Sequence, residues 1–277
     1  MHDHIPFFEL KEIDFERISR LVYEQCGINL HEGKKELVKA RLGKRLREGN
    51  FKSFGDYYRY VISNEGTDEL ISMIDSLSTN LTYFFREESH FRKLSEVAPA
   101  MLKESGGPSP KLRIWSAGCS TGEEPYSLAM TVNECAGALN PDIKIIATDI
   151  STRVLDIAGK GIFTKEKLKN VPPAILKRYF QVGSGQSEGY YRIKKVIREM
   201  VQFSRFNLME TPPSSFLFDV IFCRNVLIYF DKGTQAALVK RFYNCLHKGG
   251  YFFAGHSESL TGLDHEFKYI EPSIYRK

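Results

Sequence analysis

The stretch Ile114-Trp115-Ser116-Ala117-Gly118-Cys119-Ser120-Thr121-Gly122-Glu123-Glu124-Pro125 contains the transition that decides the fold. Four residues with strand character lead into a loop with two glycines, and Pro125 suits the first turn of a helix. Gly118 and Gly122 allow the backbone to approach a ligand closely, because no Cβ intervenes. The segment therefore predicts a strand, a ligand-binding turn and a helix, in that order.

The alternation of strand and helix continues along the rest of the chain. Short apolar runs predict strands, and segments with helical periodicity separate them; the strands are 112–117, 143–148, 218–223 and 251–254, and the helices are 125–138, 151–159 and 234–246. Such alternation is typical of a parallel sheet covered by helices. The segment from about 178 to 206 interrupts it, because glycines at 183 and 185 separate short apolar runs. This segment predicts an inserted antiparallel β-subdomain.

The first part of the chain has no strand pattern. Residues 9–85 have helical spacing, as in 34–49, where Val38, Leu42 and Leu46 fall on one stripe. We predict a small all-α N-terminal domain over 1–88 and an α/β domain over 112–277. Glycine and proline at 106–108 and 110 indicate a linker over 89–111.

Composition excludes several classes of protein. The 277 residues are 42% hydrophobic with a net charge of +5, which is typical of a folded domain rather than a disordered one. No run of 18 apolar residues occurs, and 1–8 lacks a signal pattern, so we expect a cytoplasmic protein without membrane insertion. The five cysteines are widely spaced without a C-x-x-C pair, so we expect free thiols and no metal site.

The residues around the glycine turn favour one class of ligand. Neither G-x-G-x-x-G nor a Walker loop is present, and Glu123 and Glu124 would repel a phosphate. They suit a cationic, hydroxyl-rich ligand, and S-adenosylmethionine is both. Asp149 ends the second strand and Arg224-Asn225 follows a later one, so all three elements lie at carboxyl ends of strands, where such sheets bind ligands. From these residues alone, NAD or flavin and a simple helix-capping role for Asp149 both stay open.

Four longer motifs resemble the CheR family of chemotaxis receptor methyltransferases. They are Thr79-Asn80-Leu81-Thr82-Tyr83-Phe84-Phe85-Arg86, Trp115 to Ser127, Phe222-Cys223-Arg224-Asn225-Val226-Leu227-Ile228-Tyr229-Phe230 and Phe253-Ala254-Gly255-His256-Ser257-Glu258. The resemblance implies an all-α domain followed by a Rossmann-like domain with a β-subdomain. It also implies methyl transfer from S-adenosylmethionine to glutamates of methyl-accepting chemotaxis receptors, with S-adenosylhomocysteine as the second product.

The resemblance also implies roles for individual residues. Arg86 and Tyr229 are the predicted catalytic residues, with Arg86 orienting the substrate glutamate and Tyr229 beside the transferred methyl. The predicted cofactor pocket comprises Asn80, Thr82, Arg86, Gly118, Glu123, Asp149, Asn207, Leu208, Arg224 and Asn225. A glutamate with a reference pKa of about 4.3 is already ionised at neutral pH, so the reaction needs no general base. We therefore interpret His256 and Glu258 as structural. On residue type alone, Arg86 also suits a surface ion pair, and Tyr229 suits core packing.

A basic segment predicts the binding surface for the substrate. Residues 31–52 contain eight Lys or Arg against three Glu, and Arg41 and Arg45 are the predicted contacts to an acidic receptor helix. A solvated basic face is the alternative. The expected partner is the cytoplasmic domain of the receptors, and we expect a monomer that binds no nucleic acid. Docking of a receptor C-terminal peptide on the β-subdomain is left open.

Three rival functions follow from the same residues. The basic segment would suit a nucleic-acid methyltransferase, but Arg224-Asn225-Val226-Leu227 stands where amino-group methylases commonly carry Asp/Asn-Pro-Pro-Tyr/Phe. A module that binds S-adenosylmethionine without transferring a methyl is disfavoured by Arg86 and Tyr229. An enzyme of this fold with a different protein or a small acid as acceptor stays open.

Overall fold

The computed structural model of the chain describes residues 8–106, 109–137 and 141–277. Three predicted features lie outside the described residues: the N-terminal segment 1–7, the glycine and proline at 107–108, and the helix end at 138. The chain forms two compact units. The first runs through Thr79 and includes Tyr229–Asp231, and the second comprises Asn80–Ile228 and Lys232–Lys277.

The first unit is a bundle of four helices, α1 Glu12–Cys26, α2 Lys35–Glu48, α3 Phe54–Val61 and α4 Thr67–Leu77. Each helix buries one apolar stripe, such as Val38, Leu42 and Leu46 on α2, all with 0% exposure. Removing these side chains from water stabilises the bundle by about 1.5–3 kcal/mol for each. The predicted all-α character of this part of the chain is confirmed.

The second unit contains a seven-stranded sheet in the order β6-β2-β1-β7-β8-β10-β9. Its strands are β1 Lys111–Ala117, β2 Asp142–Asp149, β6 Val201–Arg205, β7 Phe218–Cys223, β8 Leu246–Ala254, β9 Lys268–Glu271 and β10 Ile274–Arg276. The pairs β6–β2, β2–β1, β1–β7 and β7–β8 are parallel, and β10 is antiparallel to both of its neighbours. The predicted parallel sheet is therefore present.

Helices of the second unit connect these strands. They are α5 Glu88–Glu104, α6 Glu123–Ala136, α7 Thr152–Lys160, α8 Pro173–Tyr179, α9 Lys195–Arg198 and α10 Lys232–Asn244. The central strands are buried on both faces, as parallel strands usually are. In the core, the rings of Phe222 on β7 and Phe253 on β8 stack with centroids 4.2 Å apart. Trp115 is 1% exposed, and its indole N–H donates to Thr148 Oγ1 at 2.9 Å, so its polar atom is not left unpaired.

A separate antiparallel sheet forms the β-subdomain. Its strands are β3 Ile162–Thr164, β4 Phe180–Val182 and β5 Tyr190–Ile193, in the order β3-β5-β4. The observed subdomain differs at both ends from the predicted one, which ran from about 178 to 206. It begins earlier, at β3, and it does not include β6. β6 pairs with β2 in the large sheet, with Ala147 opposite Phe203. A short apolar run does not specify whether its partner is a neighbouring hairpin strand or a distant parallel one.

Most of the predicted linker over 89–111 is helix α5. This helix buries Phe91, Leu94, Ala98 and Leu102, which belong to the same core as β1 and α6. The structure divides the chain at Thr79/Asn80 instead of near residue 88. The glycine and proline residues mark only the short connection that follows α5, because the helical spacing before them is intact.

No helix within the described ranges combines the length and apolar character that a membrane crossing requires.

Candidate cofactor site

The glycine turn after β1 is held in a conformation that suits its two glycines. Gly118 has φ +83° and Gly122 has φ +95°, in the left-handed region that glycine favours. A Cβ on Gly118 would overlap Val226 Cγ2, and one on Gly122 would lie 2.9 Å from the Cβ of Ala158. Both positions therefore require glycine, because the backbone is left-handed there and because a side chain would overlap its neighbours.

Asp149 connects the end of β2 to the glycine turn. Its carboxylate accepts the backbone N–H of Ser120 at 2.9 Å and that of Ser151 at 3.0 Å. The side chain is largely buried, with the residue 8% exposed. Asp149 thus fixes the turn and also binds the backbone of Ser151, the N-cap residue of α7.

Glu123 is fully buried at the first turn of α6. Its carboxylate accepts the hydroxyl of Thr121 at 2.6 Å and pairs with the ammonium of Lys167 at 2.8 Å. Glu123, a predicted cofactor contact, therefore already forms an ion pair with Lys167. Lys167 was missed by sequence reasoning, because nothing in its surroundings along the chain distinguishes it from other surface lysines.

Asn80 contributes a polar group without a partner beside the turn. Its carbonyl accepts the hydroxyl of Ser120 at 3.0 Å, while its side-chain Nδ2 is buried and makes no hydrogen bond. Such an unsatisfied buried donor calls for an explanation, and a ligand acceptor is one. Thr82, two residues further on, is half-buried.

Arg86 lies in a strained turn between two left-handed residues, Phe85 at φ +54° and Glu87 at φ +59°. Left-handed conformations of this kind cost about 1–3 kcal/mol each and cluster at functional sites. Anchoring contacts hold the turn: Phe85 N–H donates to Ser127 Oγ at 3.0 Å, and the buried ring of Phe84 packs edge-on against another ring 4.8 Å away. The Arg86 guanidinium is half-buried and donates to the carbonyl of Leu81 at 3.0 Å.

Arg224 is an internal bridge. Its side chain is 2% exposed and pairs with Glu87 at 3.0 Å and with Glu124 at 3.1 Å. It also donates to the backbone carbonyl of Arg86. The predicted pocket residue Arg224 thus holds the turn that carries Arg86, because its guanidinium donors are directed at protein acceptors.

The buried ionisable groups around Arg224 have pKa values that are shifted in different directions. Burial raises the pKa of Glu124, although Arg224 and the Ser116 hydroxyl act against this shift. For Glu87, burial also raises the pKa, but the charge of Arg224 and the N–H of His256 together lower it overall. Burial, assisted by Arg224, lowers the pKa of His90 to about 3. His90 is therefore neutral at neutral pH.

Asn225 adopts a left-handed conformation with φ +59° after β7. The carboxylate of Glu258 accepts the N–H groups of Asn225 at 2.7 Å, Gly255 at 2.6 Å and Ile228 at 3.2 Å. A Cβ on Gly255 would lie 2.7 Å from both Asn225 Nδ2 and Glu258 Oε2. The expected structural role of Glu258 is confirmed, and it consists of fixing the loops after β7 and β8.

Asn207 and Leu208 follow β6 at the same edge of the sheet. Asn207 Oδ1 accepts the N–H of Met209 at 3.0 Å, and the carbonyl of Leu208 accepts a bond from Arg241 at 2.6 Å. Because β6, β2, β1 and β7 are parallel neighbours, the loops after them lie at one edge. The fold therefore brings together the predicted residues that follow these four strands.

The predicted site residues of the first unit form hydrogen bonds or ion pairs within that unit. Arg41 donates to the carbonyls of Leu77 at 2.6 Å and Ser78 at 3.0 Å, where it caps the end of α4. Arg45 pairs with Glu69, and the Tyr57 hydroxyl donates to the same carboxylate at 2.8 Å. Tyr229 lies with its hydroxyl 3.5 Å from the carbonyl of Thr79.

These features fit S-adenosylmethionine. The buried Nδ2 of Asn80 has no partner and would donate to an acceptor of the cofactor, and the acidic end of β2 would accept its hydroxyl groups. The two glycines permit the left-handed backbone of the turn, and the turn carries no phosphate-binding pattern. Fold and site together define an S-adenosylmethionine-dependent methyltransferase.

Comparison with known families agrees with this class. Residues 80–276 match the S-adenosylmethionine binding domain of the CheR methyltransferases, and residues 13–78 match the all-alpha domain of the same family. The chain belongs to the CheR methyltransferase family, and its cofactor is S-adenosylmethionine.

Curated relatives match over nearly the whole chain. Chemotaxis protein methyltransferase 2 of Pseudomonas aeruginosa is 40% identical over 97% of this chain and 94% of its own length. The chemotaxis protein methyltransferase of Escherichia coli is 42% identical, covering 96% and 91%. That of Borreliella burgdorferi is 39% identical, covering 95% and 94%.

Proposed function

We propose that the chain is a protein-glutamate O-methyltransferase that esterifies glutamate side chains in the cytoplasmic domain of methyl-accepting chemotaxis receptors. The observation that supports this proposal best is the hydrogen bonding of the Arg86 guanidinium. Its guanidinium makes a single hydrogen bond among the described residues, to Leu81, so its other donors are open to an incoming carboxylate. A guanidinium can bind a carboxylate through two parallel bonds and thereby fix its orientation.

The chemistry requires orientation more than proton transfer. When bound, S-adenosylmethionine supplies an electrophilic methyl carbon, and an ionised glutamate can attack it without losing a proton. Arg86 holds the attacking carboxylate in a fixed orientation. Correct alignment and exclusion of water then account for the acceleration.

The network beneath Arg86 supports this role. Arg224 binds the carbonyl of Arg86 and the carboxylate of the next residue, Glu87. These bonds fix the strained turn, so the turn presents the Arg86 side chain in one position. Precise placement of a carboxylate ligand depends on such a fixed side chain.

The choice of acceptor is supported by the relatives and by the charge of α2. The relatives carry names that place them in chemotaxis. We propose that α2 faces the acidic substrate, with Arg41 and Arg45 as contacts beside the exposed cations Lys44 and Arg47. We further propose that the protein acts as a monomer in the cytoplasm and binds no nucleic acid.

Methyl transfer to receptor membranes tests the proposal. The protein is incubated with methyl-labelled S-adenosylmethionine and membranes that contain chemoreceptors, and the labelled receptor is then treated with base. Methyl esters of glutamate release volatile labelled methanol, which is the expected result. A receptor with its cytoplasmic glutamates replaced by alanine is the control. Base-stable label on receptors, or label on nucleic acid in the same extract, would contradict the assignment.

A further inference from the structure

Three potential metal ligands lie together beside the turn that carries Arg86. Glu87 and His90 stand at the start of α5, and His256 follows β8. Their donor atoms all lie within 4.8 Å of one another. All three belong to the second unit, so its fold brings two distant parts of the chain to one point.

The spacing suits a small divalent cation. Zn²⁺ binds imidazole nitrogen and carboxylate oxygen at about 2.0–2.1 Å, which places neighbouring donors of a tetrahedral site about 3.3 Å apart. His90 Nδ1 and Glu87 Oε2 are 3.4 Å apart. The rings of His90 and His256 meet edge to face with centroids 4.8 Å apart. His256 is exposed, and its Nε2 lies 3.2 Å from the hydroxyl of Ser89.

His90 supplies the second, independent observation. Its side chain is 0% exposed, and neither ring nitrogen has a hydrogen-bond partner. The ring lies against Phe253 at 5.6 Å and Phe222 at 6.4 Å, so apolar walls surround it on that side. A buried unsatisfied polar group costs about 1–3 kcal/mol, and an absent ion is one of the recognised explanations.

The charge of Arg224 opposes a cation at His90, and the charge of Glu87 favours one. Arg224 lies against Glu87, but it also pairs with Glu124, so one guanidinium is shared between two carboxylates. Metal-binding carboxylates are commonly hydrogen-bonded by a further donor of this kind, which orients them. Arg224 therefore takes the place of the outer partner of Glu87.

We propose that Glu87, His90 and His256 form a binding site for one divalent transition-metal ion, with Zn²⁺ as the best-suited ion. Two imidazoles and one carboxylate match its preferred ligands, and the exposed side at His256 leaves a fourth position for water. The site borders the predicted cofactor pocket, because Glu87 pairs with Arg224, and binding of the ion does not depend on the proposed acceptor of the methyl group. Sequence spacing carries no signal for it, because His90 and His256 are 166 positions apart (256 − 90).

Cobalt spectroscopy on the full chain tests this site. Protein stripped with a chelator is titrated with Co²⁺, and visible absorption of tetrahedral cobalt is followed and then displaced with Zn²⁺. We expect one ion per chain. His256→Ala, at an exposed position, should weaken binding at least about tenfold, because loss of an outer partner of a ligand alone commonly costs that much.

Matched variants separate this site from other histidines and from the thiols. His247→Ala removes an exposed histidine on β8 and should bind like the wild type. The double variant His2→Ala/His4→Ala should do the same. Equal affinity in wild type and His256→Ala, loss of binding in the His2→Ala/His4→Ala variant, or a sulfur-to-cobalt charge-transfer band would overturn the proposal.

Discussion

The carboxylate of Glu258 lies 2.7 Å from the backbone nitrogen of Asn225 and accepts its hydrogen bond. The same carboxylate accepts the N–H groups of Gly255 and Ile228, so one buried side chain fixes two loops at the carboxyl edge of the sheet. Burial raises the pKa of Glu258, and these N–H groups oppose that shift. The position of Asn225, a predicted cofactor contact, therefore depends on a residue 33 positions away in the sequence.

Glu258→Gln replaces one of the two carboxylate oxygens with an NH2 group that cannot accept a hydrogen bond, so a single oxygen is left for three N–H donors. Losing a hydrogen bond to a charged group costs about 1.5–3 kcal/mol, so we expect affinity for S-adenosylhomocysteine to fall at least tenfold. Isothermal titration calorimetry measures this change. Glu266→Gln, at an exposed position, is the control and should bind normally. Unchanged affinity in Glu258→Gln would show that the loop keeps its position without the carboxylate.

Arg86→Ala should reduce kcat by about 100-fold or more, since the substrate carboxylate loses its orientation. Affinity for S-adenosylhomocysteine should change much less. Arg86→Lys keeps the charge without the planar fork and should recover only part of the rate. Arg92→Ala, exposed on α5, serves as the comparison. Turnover of Arg86→Ala close to the wild-type rate would contradict the catalytic assignment.

Gly118→Ala should weaken cofactor binding and lower thermal stability together. The new Cβ adds backbone strain at φ +83° and overlaps Val226. Gly189→Ala is the matched control, because Gly189 has φ +84° but no atom within 4 Å of the new Cβ. We expect a loss of about 1–3 kcal/mol from strain in both variants and a further loss only in Gly118→Ala. Val226→Ala in the Gly118→Ala background should restore part of that further loss, as measured by thermal unfolding.

The exposed cations of α2 offer a cleaner test of receptor binding than Arg41 and Arg45. Those two arginines cap α4 and pair with Glu69, so reversing their charge also destabilises the bundle. Lys44→Glu/Arg47→Glu should raise KM for receptor severalfold at low salt and less at high salt, because exposed charges are screened. Affinity for S-adenosylhomocysteine should stay the same. An unchanged KM would favour a simple solvated face.

Thiol alkylation should select one cysteine. Burial raises the pKa of Cys26 to about 11, and it also raises those of Cys119, Cys223 and Cys245. A raised pKa keeps a thiol protonated and unreactive at neutral pH. Cys135 is only half-buried, so iodoacetamide should modify it first in the native protein. Mass spectrometry of tryptic peptides identifies the site, and comparable labelling of Cys223 without unfolding would contradict the buried core.

The elements that sequence reasoning predicted best are those specified by local pattern. The strands at 112–117 and 218–223, and the turn at Gly118, follow from short-range periodicity and glycine spacing, and the structure has them in those places. The placement of β6 was not predictable in this way, because its partner β2 lies more than 50 residues earlier. Helix α5 was not predicted, because the glycine and proline residues that follow it indicated a linker.

The same distinction holds for the site. That Asp149 and Asn225 lie near the glycine turn followed from their order along parallel strands, whereas the position of Asn80 was implied by the family resemblance. The roles of Arg224 and Glu123 did not, because their partners Glu87 and Lys167 are 137 and 44 residues away. Ion pairs of such long range become visible only when the chain is folded.

The short segment Tyr229–Asp231 belongs to the first unit although the second unit encloses it in the sequence. Within that unit, Asn29 N–H donates to the carbonyl of Tyr229 at 2.8 Å, and the Tyr23 hydroxyl donates to Asp231 at 2.6 Å. A ribosome making this chain must therefore synthesise Asp231 before the small unit has all of its parts. The bundle that emerges first is completed only when most of the second unit has followed it, which ties the folding of the two units to one another during translation.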